Sequence, residues 1–195
     1  MLIKSLQAKA LIPCLDSCFT GRLSMRVVFI VAPGNYRDEE LFNSKSVLEQ
    51  AGVRCDVAST QRGALTGSRG ASVKCDMLVG EISARHYDAV VFIGGSGVQE
   101  HALEENNTIL SIAREFASAG KVVAAICIAP RILAKAGLLQ GKRVTCFPDA
   151  SAISLLRQVG AHYAAKPVEI DGKLVTANGP QSASAFGQAL LDVLG

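Results

Sequence analysis

Three stretches of the chain are apolar for five residues running, with no polar alternation: Val27 to Val31 (VVFIV), Ala89 to Ile93 (AVVFI) and Val122 to Ile126 (VVAAI). A strand with one wet face alternates polar and apolar residues, whereas a strand covered on both faces does not. Such coverage belongs to a parallel sheet with helices on each side. These runs are therefore the expected sheet centre, and the intervening sequence must supply the helices.

It does so in the expected places. From Asn107 to Ala119, Ile109, Ile112, Ala113, Phe116 and Ala117 recur at helical spacing and Gly120 follows as a stop. A second helix is expected from Asp38 to Gln50, with Gly52 beyond it, and a third from Asp149, as N-cap, to Gly160. Two hairpins interrupt the alternation: Ala64 to Thr66 with Ala71 to Asp76 across Gly67-Ser68-Arg69-Gly70, and Val168 to Ile170 with Lys173 to Thr176 across Asp171-Gly172. Antiparallel additions of this kind belong at a sheet edge or over it. Right-handed crossovers then predict a three-layer α/β/α sandwich, flavodoxin-like, with a mostly parallel sheet.

The 195 residues suffice for one sizeable core, which makes residues 25–195 one domain. Residues 1–24 carry Lys4, Lys9 and Arg22 against a single Asp16 and read as a leader outside the fold, either a disordered extension or an upstream start. The net charge is +3, and the basic residues are spread along the chain instead of forming a stripe, so a nucleic-acid partner is not expected. No apolar run approaches the roughly 20 residues that span a bilayer, which points to a soluble protein with no membrane partner. The 6 cysteines lack CxxC spacing, and Cys55, Cys75, Cys127 and Cys146 sit in or beside apolar runs, as reduced thiols of a cytoplasmic protein do. No metal or organic cofactor is implied.

In a doubly wound fold, ligands bind beyond the carboxyl ends of the central strands. Those ends are Pro33 to Glu40, Gly94-Gly95-Ser96-Gly97 and Cys127-Ile128-Ala129-Pro130. The last passes from strand to helix within one or two residues, with Pro130 in the first turn, so Cys127 stands where a nucleophile elbow would lift it out of the sheet. A helix N-terminus at that position is expected to lower its thiol pKa. The alternative reading of Cys127 is a small buried hydrophobe. The glycine turn offers unobstructed N–H groups, and Gly95 with Ile128 forms a candidate oxyanion hole. A dinucleotide fingerprint needs glycine three residues after Gly97, and that position is Glu100. Asp38 and Glu39 are explained by the helix dipole. Glu40 lies half a turn further round, on a face able to look inward to the sulfur, where burial would drive its carboxyl toward the protonated form.

The segments NYRDEEL, YDAVVFIGGSG and AAICIAPRILAKAGLLQGKRVT, with RGALTGSRGASVKCD and VEIDGKLVTANGP, together resemble the PfpI family of intracellular proteases. That family lies in the superfamily that includes the Parkinson-associated deglycase and shares the class I glutamine amidotransferase-like fold. The likeness covers about residues 25 to 195. It implies a homo-oligomer, dimer or hexamer, with Cys127 as nucleophile, Glu40 bonded to it, and Gly95 and Ile128 as oxyanion donors.

Three departures stand against these matches. The family's histidine directly after the cysteine is Ile128 here, the deglycase branch's histidine before a proline is Phe147, and a glutamate that PfpI-type members take from a neighbouring subunit is Gln99. Neither Ile128 nor Phe147 can move a proton. Of the remaining histidines, His86 and His162 are expected to be structural, and His101, six residues after Gly95, is an auxiliary candidate with Gln99.

Two functions follow. One is a cysteine-dependent enzyme acting on small-molecule or protein carbonyls or glycated amines, of glyoxalase or deglycase type, with peptide hydrolysis the least suited to a site without a general acid. The other is a stress-response protein that senses oxidants through oxidation of Cys127.

Overall fold

All three apolar runs become neighbouring strands of one seven-stranded sheet in the computed structural model, which describes residues 25–195. The expected leader lies outside the described residues. In chain order the elements are β1 (Arg26–Ile30), β2 (Gly34–Tyr36), α1 (Asp38–Gln50), β3 (Arg54–Ser59), β4 (Ala64–Gly67), β5 (Ser72–Lys74), β6 (Met77–Leu78) and β7 (Ala89–Phe92). They continue with α2 (Gly97–Glu100), α3 (Asn107–Ser118), β8 (Val122–Ile126), α4 (Pro130–Lys135), β9 (Arg143–Val144), α5 (Ala150–Gln158), β10 (His162–Tyr163), β11 (Val168–Asp171), β12 (Leu174–Ala177) and α6 (Ala183–Leu194).

The strand order is β11-β12-β8-β7-β1-β3-β6, parallel throughout except for β11, which runs antiparallel to β12. Val28 of β1 stands beside Val90 of β7 and Asp56 of β3, so the most apolar strands lie side by side at the centre. Successive side chains alternate between two cores. Val27, Phe29, Ala89, Val91, Ala124 and Ile126 face α1 and α6, while Val28, Ile30, Val90, Phe92, Val123 and Ala125 face α3, α4 and α5. This two-sided burial is the physical reason for runs without polar alternation, each fully buried Val, Ile or Phe contributing about 1.5–3 kcal/mol.

Helix ends follow local chemistry. Asn106 caps α3 by accepting from the N–H groups of Thr108 at 3.0 Å and Ile109 at 3.2 Å, and Asp149 caps α5 by accepting from Ala152 N–H at 2.9 Å. Helices α1 and α6 pack closely because residue 187 is glycine: a Cβ there would stand 2.9 Å from Val47 Cβ and 3.0 Å from the Ser44 carbonyl.

The second expected hairpin is the sheet edge, as β11 and β12. The first is not part of that sheet. Its strands β4 and β5 join β2 in a separate three-stranded sheet, with β2 and β4 parallel. Asp38 holds its turn in place: the buried carboxylate accepts from Arg69 N–H at 2.7 Å and Ala71 N–H at 2.8 Å. The helix dipole alone therefore does not account for Asp38, because the carboxylate satisfies backbone donors from a distant loop.

The chain crosses from β1 through α1 to β3 on one side, and from β7 through α3 to β8 on the other. The connections diverge at the carboxyl ends of β1 and β7, and there a crevice opens.

Candidate active site

Cys127 directly follows β8 and has φ +63°, one of three non-glycine residues in the left-handed region among those described. That conformation costs about 1–3 kcal/mol, and neighbouring bonds hold it. The Cys127 N–H donates to the Ala177 carbonyl at 2.9 Å, and its carbonyl accepts from Phe147 N–H at 2.7 Å. Strand parity would send residue 127 to the same side as Val123 and Ala125. The positive φ instead turns it to the α1 side, where Cys127 packs beside the core that contains Ile126.

Glu40 meets it there. Tertiary packing on α1 buries Glu40 completely. Its Oε2 accepts from Gly94 N–H at 3.0 Å, while Oε1 is buried with no hydrogen bond completed. The carboxyl and the Cys127 thiol face each other closely enough for each to shift the other's titration. Burial pushes the Glu40 pKa up to about 7, against the opposing pull of the thiol and of the Gly94 amide.

The thiol is raised as well, which reverses the lowered pKa expected from a helix N-terminus. Burial is the largest cause, followed by the nearby charge of Glu40; the amides of Gly95 and Ile128 favour the thiolate but do not prevail. The dipole is also small, because α4 has only 6 residues and begins beyond Ala129.

The glycine turn fits this site sterically. A Cβ at Gly94 would stand 2.7 Å from Cys127 Cβ and 2.8 Å from Glu40 Oε2. Gly95 has φ +103°, and a Cβ there would lie 2.4 Å from the Asn35 carbonyl. The Gly94 carbonyl also accepts from Arg37 N–H at 3.0 Å, tying this turn to the start of α1. Two bare peptide units thus fill the space between α1 and Cys127.

The site opens into a cleft of about 580 Å³ lined by Cys127, Glu40, Gly95, Ile128, Gln99 and Phe147, with further residues from three loops. The expected candidates are brought together there with one exception. His101 does not line the cleft; it is exposed, with Nε2 only 3.3 Å from where a Gly34 Cβ would stand. His86 is exposed in the turn before β7, at the amino end of the sheet, and His162 is exposed on β10.

Arg37 and Ser96 fall within the strand-end segments expected to line the site; sequence reasoning missed Asp149, Ser151, Pro180 and Gln181 as lining residues. A signal for the last two existed. They follow β12, and once β12 is known to run parallel to β8, its carboxyl end must open on the same crevice. Reading 168 to 176 only as an edge hairpin hid this. Among the described residues, no group of three or more His, Cys, Asp or Glu side chains is placed to hold a metal ion, and no helix is long and apolar enough to cross a membrane.

Residues 25–193 match the model of the DJ-1/PfpI family. The chain belongs to that family. An uncharacterized protein of Methanocaldococcus jannaschii is 37% identical over 169 residues, spanning 87% of this chain and 82% of that protein. A protein named as a deglycase, from Pyrococcus horikoshii, is 32% identical over 170 residues, spanning 87% and 99%. The crystal structure of a ThiJ/PfpI domain protein from Brachyspira murdochii superposes with TM-score 0.83 at 34% identity, covering 88% of this chain and 96% of that one. For a DJ-1/PfpI chain, the two positions where the resemblance places histidine are Ile128 and Phe147, and both line the cleft beside the sulfur.

Proposed function

We propose that this DJ-1/PfpI protein is a cysteine-dependent enzyme of deglycase or glyoxalase type, acting on reactive carbonyl compounds or on amines they have glycated. The observation that carries the reading is Cys127 held at φ +63° against the fully buried carboxyl of Glu40, at the base of an open cleft. The names of relatives such as the Pyrococcus horikoshii deglycase support the same reaction class.

In this mechanism the thiol is the resting form and Glu40 is its base. With a pKa up to about 7, Glu40 sits where a proton carrier is most effective at neutral pH. As sulfur bonds to the carbonyl carbon, the thiol proton passes to Glu40, and the developing oxyanion is met by the Gly95 and Ile128 amides, which are already turned toward the sulfur. Breakdown returns the proton. One carboxyl thereby carries out the proton transfer for which related sites use histidine. Peptide hydrolysis is the weakest candidate, because a poor amine leaving group needs a separate acid.

Turnover of methylglyoxal and of a glycated amine should fall to background in Cys127→Ala. Equal rates in native and variant protein would end the proposal. The absence of histidine from the residues lining the cleft favours a second reading, oxidant sensing. Two peroxide molecules in succession would oxidise the sulfur to sulfinate, each being reduced to water, with protonated Glu40 donating to the product. Mass spectrometry after dilute peroxide tests it: oxidation of Cys55 or Cys146 before Cys127 would rule it out.

A further inference from the structure

Several charged groups around the sulfur are engaged by neighbours within the protein, although Glu40 Oε1 stays without a hydrogen bond. Arg37 Nε lies 2.9 Å from Glu39. The Asp149 carboxylate accepts from the Ser151 hydroxyl at 2.5 Å and from Ala152 N–H at 2.9 Å, and Glu40 accepts from Gly94. The cleft also presents an exposed apolar surface. Phe147 is 44% exposed, one of two exposed large hydrophobic side chains among the described residues, the other being Ile170 on the sheet edge.

The Phe147 backbone is tied to that of Cys127, and the two residues line the same cleft. The Phe147 N–H donates to the Cys127 carbonyl at 2.7 Å, and its own carbonyl accepts from Asp149 N–H at 2.7 Å. The ring lies over the chain that leaves β12. Gly179 there has φ +151°, and a Cβ on it would stand 3.5 Å from Phe147 Cδ2. Pro180 follows, and Ile128 flanks Cys127 itself. An exposed aromatic face and two further apolar side chains thus line the cleft into which the sulfur opens. The volume of about 580 Å³ is far more than a three-carbon aldehyde needs and falls in the range of sites for larger ligands.

We propose that Phe147 is a specificity-determining residue: with Ile128 and Pro180 it forms a wall that receives a neutral, ring-sized substituent on the carbonyl carbon presented to Cys127. The cleft then selects aryl carbonyl compounds over those bearing only small alkyl groups. The selection rests on reading Cys127 as the reacting group, but it is measured without any reaction. Covering roughly 60 Å² of apolar surface on such a substituent corresponds to roughly tenfold in affinity.

Acetophenone and butanone are suitable probes, titrated into the full chain and followed by NMR chemical shifts. Acetophenone should bind roughly tenfold tighter than butanone. That preference should vanish in Phe147→Ala, survive in part in Phe147→Leu, and persist in Cys127→Ala. Equal affinities for the native chain, or a preference unchanged in both Phe147 variants, would overturn the proposal. Should Phe147→Ala not fold, Phe147→Leu decides: a ratio equal to the native one refutes the wall. Because binding needs no reactive sulfur, failure here leaves the Cys127→Ala turnover comparison intact, and failure there leaves this result standing.

Discussion

Burial raises both Glu40 and Cys127 above their ordinary pKa values, the nearby charge of Glu40 raises the thiol further, and this coupling sets how the residue pair responds to acid and base. Folded Glu40 titrates at about 7 against an ordinary 4.5, so the folded chain binds this proton more tightly than the unfolded chain does. Its contribution to stability is therefore complete below about pH 4.5, declines as pH rises, and is lost above about pH 7. The difference corresponds to about 3 kcal/mol. Glu40→Gln removes the titration while keeping the shape. Relative to that variant, the native chain should lose about 6–12 °C of melting temperature between pH 4.5 and pH 8, at roughly 2–4 °C per kcal/mol for a chain of this size. The same variant lacks the charge that raises the thiol. Alkylation of Cys127 by iodoacetamide at pH 8 should accordingly be at least about tenfold faster than in the native chain. Parallel melting curves and equal alkylation rates would mean that the two groups are not coupled.

Element placement rests on a few buried ties, of which the clearest joins α4 to the 3₁₀ turn Leu103–Glu105. Arg131 bonds both carboxylate oxygens of Glu104, through Nε and, at 3.0 Å, through Nη2; it also reaches the Ser151 hydroxyl at 3.3 Å. Both partners are largely shielded, with side chains 14% and 11% exposed, so cutting one leaves an uncompensated charge. Arg131→Leu should cost about 3 kcal/mol in urea unfolding. The double replacement Arg131→Leu with Glu104→Leu should cost clearly less, because no charge is then stranded. Additive losses would show that the pair contributes only packing. Helix α4 starts three residues after Cys127 and Ser151 lies in the first turn of α5, where it lines the cleft, so the single variant should also loosen the site.

At the scale of the whole molecule, the sheet has a rigid middle and light margins. Strands β1, β7 and β8 are covered on both faces, whereas β9 and β10 form a two-residue pair and β11 is an edge. Native-state hydrogen exchange should find Phe29, Val91 and Ala124 protected up to the global unfolding free energy, with amides of β9, β10 and outer β11 opening locally at lower cost. Uniform protection across the sheet would contradict this division. The same contrast explains what could be read in advance. Strand β8 and helix α1 coincide with the sequence reading at both ends, since apolar continuity, caps and stop glycines act within a few residues of themselves. The gathering of Cys127, Glu40, Gly95 and Ile128 was likewise legible, because all lie in segments beyond the carboxyl ends of strands that had to be parallel, whereas Gln99 was singled out by the family resemblance alone. Three features were not: the placement of the 64 to 76 hairpin on β2, the role of Asp38 in holding it, and the exclusion of His101 from the cleft. Each depends on which surfaces meet after the chain has folded. The direction of the Cys127 shift belongs with them. A turn into α4 is a local feature and favours thiolate, but the carboxyl that outweighs it arrives from α1 through tertiary packing, and charges act through space with no regard for separation along the chain. Sequence alone thus determined the layers and placed a candidate cysteine at the strand-to-helix turn, through interactions of short range. Only the tertiary structure decided the protonation state of that cysteine and the apolar wall beside it, because both arise from groups that folding alone brings into contact.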